Sequence, residues 1–176
     1  MIIRPLRPAQ PFYRLITPRW AVMPKSGAGA ARKGARFNRP GVEALYLSLD
    51  VATAAAEYRQ DSPLMPPGTI VTYQVALETV IDFSGGYKVG EWDPIWEDWS
   101  GEWRTLAFNL RVEPPSWLIG DLALEAKSRG VLYPSTQLRG GTNLVIFPQM
   151  LTAEDVVEPF DPGGALPRNQ DSWATP

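Results

Sequence analysis

The segment Ala44-Leu45-Tyr46-Leu47-Ser48-Leu49-Asp50-Val51-Ala52-Thr53-Ala54-Ala55-Ala56-Glu57-Tyr58-Arg59 changes character at its middle. Residues 44–49 are bulky and apolar with short polar interruptions, which predicts a strand. Asp50 suits a helix N-cap, because its carboxylate can accept from the free backbone N–H groups of the first turn. The alanine-rich run 51–59 then reads as a helix with Glu57 in its second turn. The small side chains around Glu57 allow another element to approach closely. Taken alone, Glu57 reads equally well as a surface glutamate.

Outward from this step, Phe12–Ile16 reads as a short strand closed by Pro18. Residues 24–34 are rich in Gly and Ala, lack apolar periodicity and are expected to form a mobile loop. The Gly27–Gly29 pair lacks the Gly-Lys-Ser/Thr ending of a phosphate loop. Downstream, 69–76, 79–83, Val131–Tyr133, Asn143–Phe147 and Val156–Glu158 read as strands, and Ser116 is placed to cap a helix over Trp117–Ser128. Interleaved strands and a few helices predict a single compact α+β domain over residues 1–160. The stretch from Pro159 onward, rich in Pro, Gly, Asn and Asp, is expected to be irregular, so 161–176 is taken as a tail whose last residues are mobile. Trp92, Trp96, Trp99 and Trp103, continued by Leu106 and Leu110, share one helical face, although Pro94 and Gly101 break it into two short pieces. That stripe is expected in the core; exposed tryptophans would instead indicate a protein interface.

Composition narrows the chemistry. Of 176 residues 44% are hydrophobic, enough for one core, and none is Cys or His. Thiolate nucleophiles, Ser–His pairs, imidazole bases and zinc sites built on those residues are therefore excluded. Catalysis must use carboxylate, hydroxyl, phenol, amine, guanidinium or backbone amide. No run is long and apolar enough for a signal region or a membrane span, so a cytoplasmic address is expected. The net charge of −2 hides a division: residues 1–42 hold nine Lys or Arg and no acid, while 43–176 hold eight against nineteen. Such a block suits a nucleic acid, a small polyanion or the chain's own acidic surface.

Five stretches in order carry a resemblance. Tyr13-Arg14, Gly34-Ala35-Arg36-Phe37-Asn38-Arg39-Pro40-Gly41, Leu45-Tyr46-Leu47-Ser48 with Ala54-Ala55-Ala56-Glu57, Tyr133-Pro134-Ser135, and Asn143-Leu144-Val145-Ile146-Phe147 together resemble the RES-domain family across roughly residues 12–160. Phe37 stands where Trp is common in that pattern. The resemblance implies a fold like that of ADP-ribosyltransferase toxins, NAD as the substrate with no metal, and an antitoxin partner bearing an Xre-type helix-turn-helix domain. It further implies cleavage of the nicotinamide–ribose bond, with ADP-ribose passing to water, phosphate or a protein acceptor.

The available side chains suit that reaction. Loss of nicotinamide leaves an oxocarbenium-like ribose that a carboxylate can stabilise, and Glu57 is the candidate. Nicotinamide already leaves from a cation, so no strong general acid is required. Arg36 and Arg14 offer bidentate donors to ribose or pyrophosphate. Tyr46 is placed to stack on nicotinamide or hold the ribose, while Ser135 and Asn143 can donate hydrogen bonds that fix the ligand. Catalytic roles thus fall to Glu57, Arg36, Tyr46 and Ser135, and ligand binding to Arg14, Arg36, Tyr46 and Asn143. Two rival readings remain: a protein mono-ADP-ribosyltransferase toxin, sharing the same site, and a non-catalytic nucleic-acid-binding module using the basic block without direct chemistry.

Overall fold

Asp50 ends one element and starts the next. In the computed structural model, which describes residues 1–171, its backbone is extended (φ −141, ψ 161) and its carboxylate accepts from Thr53 N at 2.8 Å and Thr53 Oγ1 at 2.6 Å. Those bonds hold its pKa below the usual carboxylate range. The strand before it (β2, Leu45–Ser48) therefore stops as the helix after it (α2, Val51–Arg59) begins, which points the second turn, with Glu57, back along the sheet.

Around this step runs a closed circuit of pairings. The N-terminal strand (β1, Ile3–Ile16) pairs with β2 and, along nearly its whole length, with the long strand β3 (Thr69–Asp82). From β3 the circuit continues in parallel to β4 (Gly130–Pro134), then antiparallel to β5 (Thr142–Ile146) and back to β2. The last strand, β6 (Val156–Pro159), adds to the free edge of β3. Side chains alternate between two cores, as strand geometry requires. Leu45, Leu47, Leu132, Leu144 and Ile146 enter one with Phe12, Tyr73 and Leu77; Val131, Tyr133, Val145 and Phe147 enter the other with Phe37, Phe83, Trp92, Trp96 and Ile119. The second core receives helix α3 (Pro115–Glu125).

Several expectations are corrected. The first strand begins at Ile3, not Phe12: Pro5 and Pro8 lie where the β1–β3 register shifts, so their missing donors fall at irregularities in the ladder. Segments 69–76 and 79–83 are one strand, because Leu77 and Glu78 continue the extended backbone between them. Residues 24–34 are not a simple loop, since Ala28–Lys33 forms helix α1, ended by Gly34 at φ 78. The Asn38 side chain ties that helix down by donating to the carbonyls of Ala30, Arg39 and Val42. Helix α3 starts at Pro115 and not at Trp117; proline suits a first helical position, and Ser116 lies within the first turn, buried, its hydroxyl without a partner. Pro159 closes β6 and is not part of the tail. Residues 161–171 form no strand and only isolated turns, and the last five residues, expected to be mobile, lie outside the described residues.

The tryptophan segment does form two pieces, a 3-10 helix (Pro94–Ser100) and a π-helical turn (Thr105–Leu110). Trp92, Trp96 and Trp103 are buried, and Trp92 and Trp96 pack on Phe83 at 4.7 and 4.8 Å between centroids. Leu110 departs from the expected stripe at 62% exposure, because the π turn rotates it out of register with the preceding tryptophans.

One buried carboxylate clamps the far end of the sheet. Asp155 accepts from Glu78 N (2.8 Å), Thr152 N (2.8 Å), Thr152 Oγ1 (3.0 Å) and Arg129 Nε (3.1 Å). Burial raises its pKa, but these four donors outweigh burial and hold it below the usual value. A depressed folded-state pKa stabilises the fold above the unfolded value of about 4 and loses that contribution as pH falls through the folded one. Asp155→Asn should therefore cost about 2 kcal/mol at neutral pH by turning an amide donor toward existing donors. The cost should shrink in acid, which chemical denaturation of parent and variant at pH 7 and pH 3 would measure.

Candidate active site

Glu57 projects from α2 toward the ends of β4 and β5. Its Oε1 accepts from Ser135 Oγ at 2.7 Å and from Asn143 Nδ2 at 2.6 Å, and among the described residues no donor reaches Oε2. Both donors are themselves oriented. Asn143, 2% exposed on β5, accepts from Ser48 Oγ at 2.8 Å on Oδ1, which commits its amide nitrogen to Glu57. Ser135, just past β4, accepts from the backbone N–H groups of Gln137 and Leu138 at 3.1 and 3.0 Å, so its own proton is directed to the carboxylate. A half-buried carboxylate is thus fixed by one oxygen, leaving the other for a ligand.

That carboxylate lines a cleft of about 290 Å³ together with Arg14, Arg36, Tyr46, Tyr133 and Arg104. The volume lies at the small end of ligand pockets, enough to enclose one part of an extended ligand. Arg36 follows α1 and reaches across the entrance: Nη1 donates to the carbonyls of Trp99 (3.0 Å) and Gly101 (3.2 Å), and Nη2 to Thr136 Oγ1 (3.2 Å). All three acceptors are neutral, so its charge is not cancelled. Arg14, on β1, also lines the cleft, with Nη1 donating to the carbonyls of Pro24 and Ser26 at 3.3 Å each.

Tyr46 presents its ring and not its hydroxyl. The hydroxyl donates to Asn38 Oδ1 at 2.8 Å and accepts from Phe37 N at 3.0 Å, and burial keeps it protonated by pushing its pKa well up. Of the two roles expected for Tyr46, stacking is the one this geometry leaves open. Tyr133 forms the floor, edge-on to Phe37 at 4.7 Å; burial, then the nearby Glu57 and Tyr46, raise its pKa so that it stays a phenol. Phe37 is fully buried in this contact.

All six residues singled out from the sequence therefore meet at one place, five on the cleft wall and Ser135 through Glu57. Sequence reading passed over Ser48 and Asn38, which orient Asn143 and Tyr46, and it passed over Arg104. A signal for Arg104 existed: it is the one base between Glu91 and Leu110, in a stretch with five acids. The basic N-terminal block is divided in space. Arg4, Arg7, Lys25 and Arg39 pair with Asp82, Glu78, Glu158 and the Glu113–Asp121 pair respectively, whereas Arg14 and Arg36 line the cleft. Among the described residues no group of three or more acids could hold a metal ion, and no helix is long and apolar enough to cross a membrane.

A family model described as the RES domain matches residues 11–169. No curated protein matches the chain. Among solved structures, the crystal structure of the M. tuberculosis MbcT–MbcA toxin–antitoxin complex contains a chain with a similar fold, at TM-score 0.57 and 18% identity, covering 88% of this chain and 84% of that one.

Proposed function

This chain belongs to the RES-domain family, and from that premise we propose that it is the toxin of a toxin–antitoxin pair and breaks the nicotinamide–ribose bond of NAD. The observation that carries the reading is the Glu57 carboxylate, held by Ser135 and Asn143 in a cleft to which Arg14, Arg36, Tyr46 and Tyr133 also contribute. NAD has a matching division of charge: a cationic nicotinamide riboside at one end and an anionic diphosphate in the middle.

In this mechanism the bond between ribose C1′ and the nicotinamide nitrogen breaks, and its electron pair leaves with neutral nicotinamide. Positive charge develops on the ribose and is stabilised by Glu57, whose preorganised geometry requires no rearrangement as the charge appears. The Tyr46 ring supplies a face for the nicotinamide, and Arg36 grips the phosphates. An acceptor then attacks C1′ and loses a proton, for which the free Oε2 of Glu57 is the available base. Water, inorganic phosphate and a protein nucleophile all satisfy this scheme.

An enzyme that drains NAD needs restraint in its own cell, and the partner implied by the family is a helix-turn-helix antitoxin of the Xre type. The test is direct. Purified protein incubated with NAD should release free nicotinamide; assays with and without inorganic phosphate, and with cell extract, would assign the acceptor. Steep salt-dependent binding to nucleic acid with no loss of NAD would overturn the reading.

A further inference from the structure

The cleft contains a cation that the chemistry above leaves unassigned. Arg104 lies at the junction between the 3-10 helix Pro94–Ser100 and the π-helical turn Thr105–Leu110, and its side chain lines the same cleft as Glu57 and Arg36. Its guanidinium sits over the indole of buried Trp103, 4.6 Å from the ring centroid, which gives the flat group a platform. Among the described residues it has no carboxylate within ion-pair distance and donates no hydrogen bond, so, unlike Arg14 and Arg36 in the same cleft, it is not tied to any backbone carbonyl.

Its surroundings are unfavourable for an unpartnered cation. Burial lowers its pKa and nearby Arg36 lowers it further, against smaller opposing effects of Glu57, Asp61 and Glu102. An arginine remains charged regardless, so the imbalance persists until an anion arrives. Arg36, itself a cation, adds to the imbalance, and its bonds to the carbonyls of Trp99 and Gly101 hold it beside the segment that leads to Arg104. π-helical turns are rare and tend to mark functional sites, and this one begins immediately after Arg104.

The geometry points to Arg104 and Arg36 as the two jaws of an anion site for a diphosphate, with Arg104 determining specificity for a nucleoside-diphosphate-bearing substrate. The inference deepens the NAD reading and rests on it for the identity of the substrate. Apart from its contact with the Trp103 ring the Arg104 side chain makes no hydrogen bond or ion pair, so its loss should register in binding more than in folding.

The experiment uses the full chain and inorganic pyrophosphate as the probe, followed by calorimetry, with thermal melting as a control. Arg104→Ala should weaken pyrophosphate binding about tenfold or more, and Arg104→Lys should restore only part of it, because a point charge lacks the planar fork. With NAD, Arg104→Ala should raise KM by a similar factor while kcat falls less, as expected for a group that grips phosphates in ground and transition states alike. Equal pyrophosphate binding by parent and Arg104→Ala, no pyrophosphate binding by the parent, or a loss confined to kcat would each overturn the assignment. A parent that binds pyrophosphate through Arg104 yet releases no nicotinamide would keep the anion site and sink the NAD reading instead.

Discussion

Replacing Glu57 with Gln is expected to reduce nicotinamide release from NAD at least about a hundredfold while leaving the fold intact, the cost of removing one preorganised electrostatic contact from a transition state. The hydrogen-bond geometry makes this substitution unusually clean. Ser135 and Asn143 both donate to Oε1, so the glutamine carbonyl can occupy that position and the amide nitrogen can take the place of Oε2, which no described residue contacts. The charge goes and the shape stays. Melting temperature and NAD affinity should change little. Arg36→Ala is the informative contrast: it should raise KM, and because Arg36 also holds the Trp99 and Gly101 carbonyls, it should lower the melting temperature as well. Glu57→Gln turning over at the parental rate would remove the carboxylate from the mechanism, even with the family assignment standing.

The parts of this site that were legible in the sequence are those governed by local rules. Asp50 caps α2 because a carboxylate at that position meets the Thr53 N–H whatever the rest of the chain does, and once α2 starts there, Glu57 is committed to one face of it. The alternation of β2, β4 and β5 was likewise readable, since each strand buries one set of side chains in each core. Local pattern failed where partners are distant. The extent of β1 depends on β3, which supplies its ladder from 53 residues away at Ile16–Thr69 to 78 residues away at Ile3–Ile81. Prolines at 5 and 8 therefore argued against a strand that tertiary pairing permits. Helix α1 is too short and too glycine-rich to be predicted, and it is held by Asn38 and not by its own propensity. Arg104 was hidden by its neighbours, because the tryptophan stripe reads as core, and a lone base among five acids marks the residue without saying that it turns back over a cleft.

Gly120 shows the same limit in its sharpest form, and its substitution should produce the largest loss of stability. In sequence it is a glycine in mid-helix, a position where alanine is worth about 1 kcal/mol more. In the structure α3 lies so close to the site's own backbone that a Cβ at Gly120 would fall 2.0 Å from the Phe37 carbonyl oxygen and 2.8 Å from its carbon. Neither group is a flexible side-chain tip: Phe37 is fully buried, and its N–H donates to the Tyr46 hydroxyl. Helix and loop must separate, so Gly120→Ala should destabilise the protein by about 3 kcal/mol in spite of the gain in helix propensity. The displacement falls on the residue next to Arg36, so KM for NAD should rise as well. Gly29→Ala provides the control, being in helix α1 with no atom within 4 Å of the added carbon; it should be neutral or slightly stabilising. Denaturant titrations of the two variants would separate a steric contact from a general intolerance of alanine. Equal stability of Gly120→Ala and the parent would mean that α3 does not seat against Phe37 as closely as described, and the positioning of Arg36 would then need another cause.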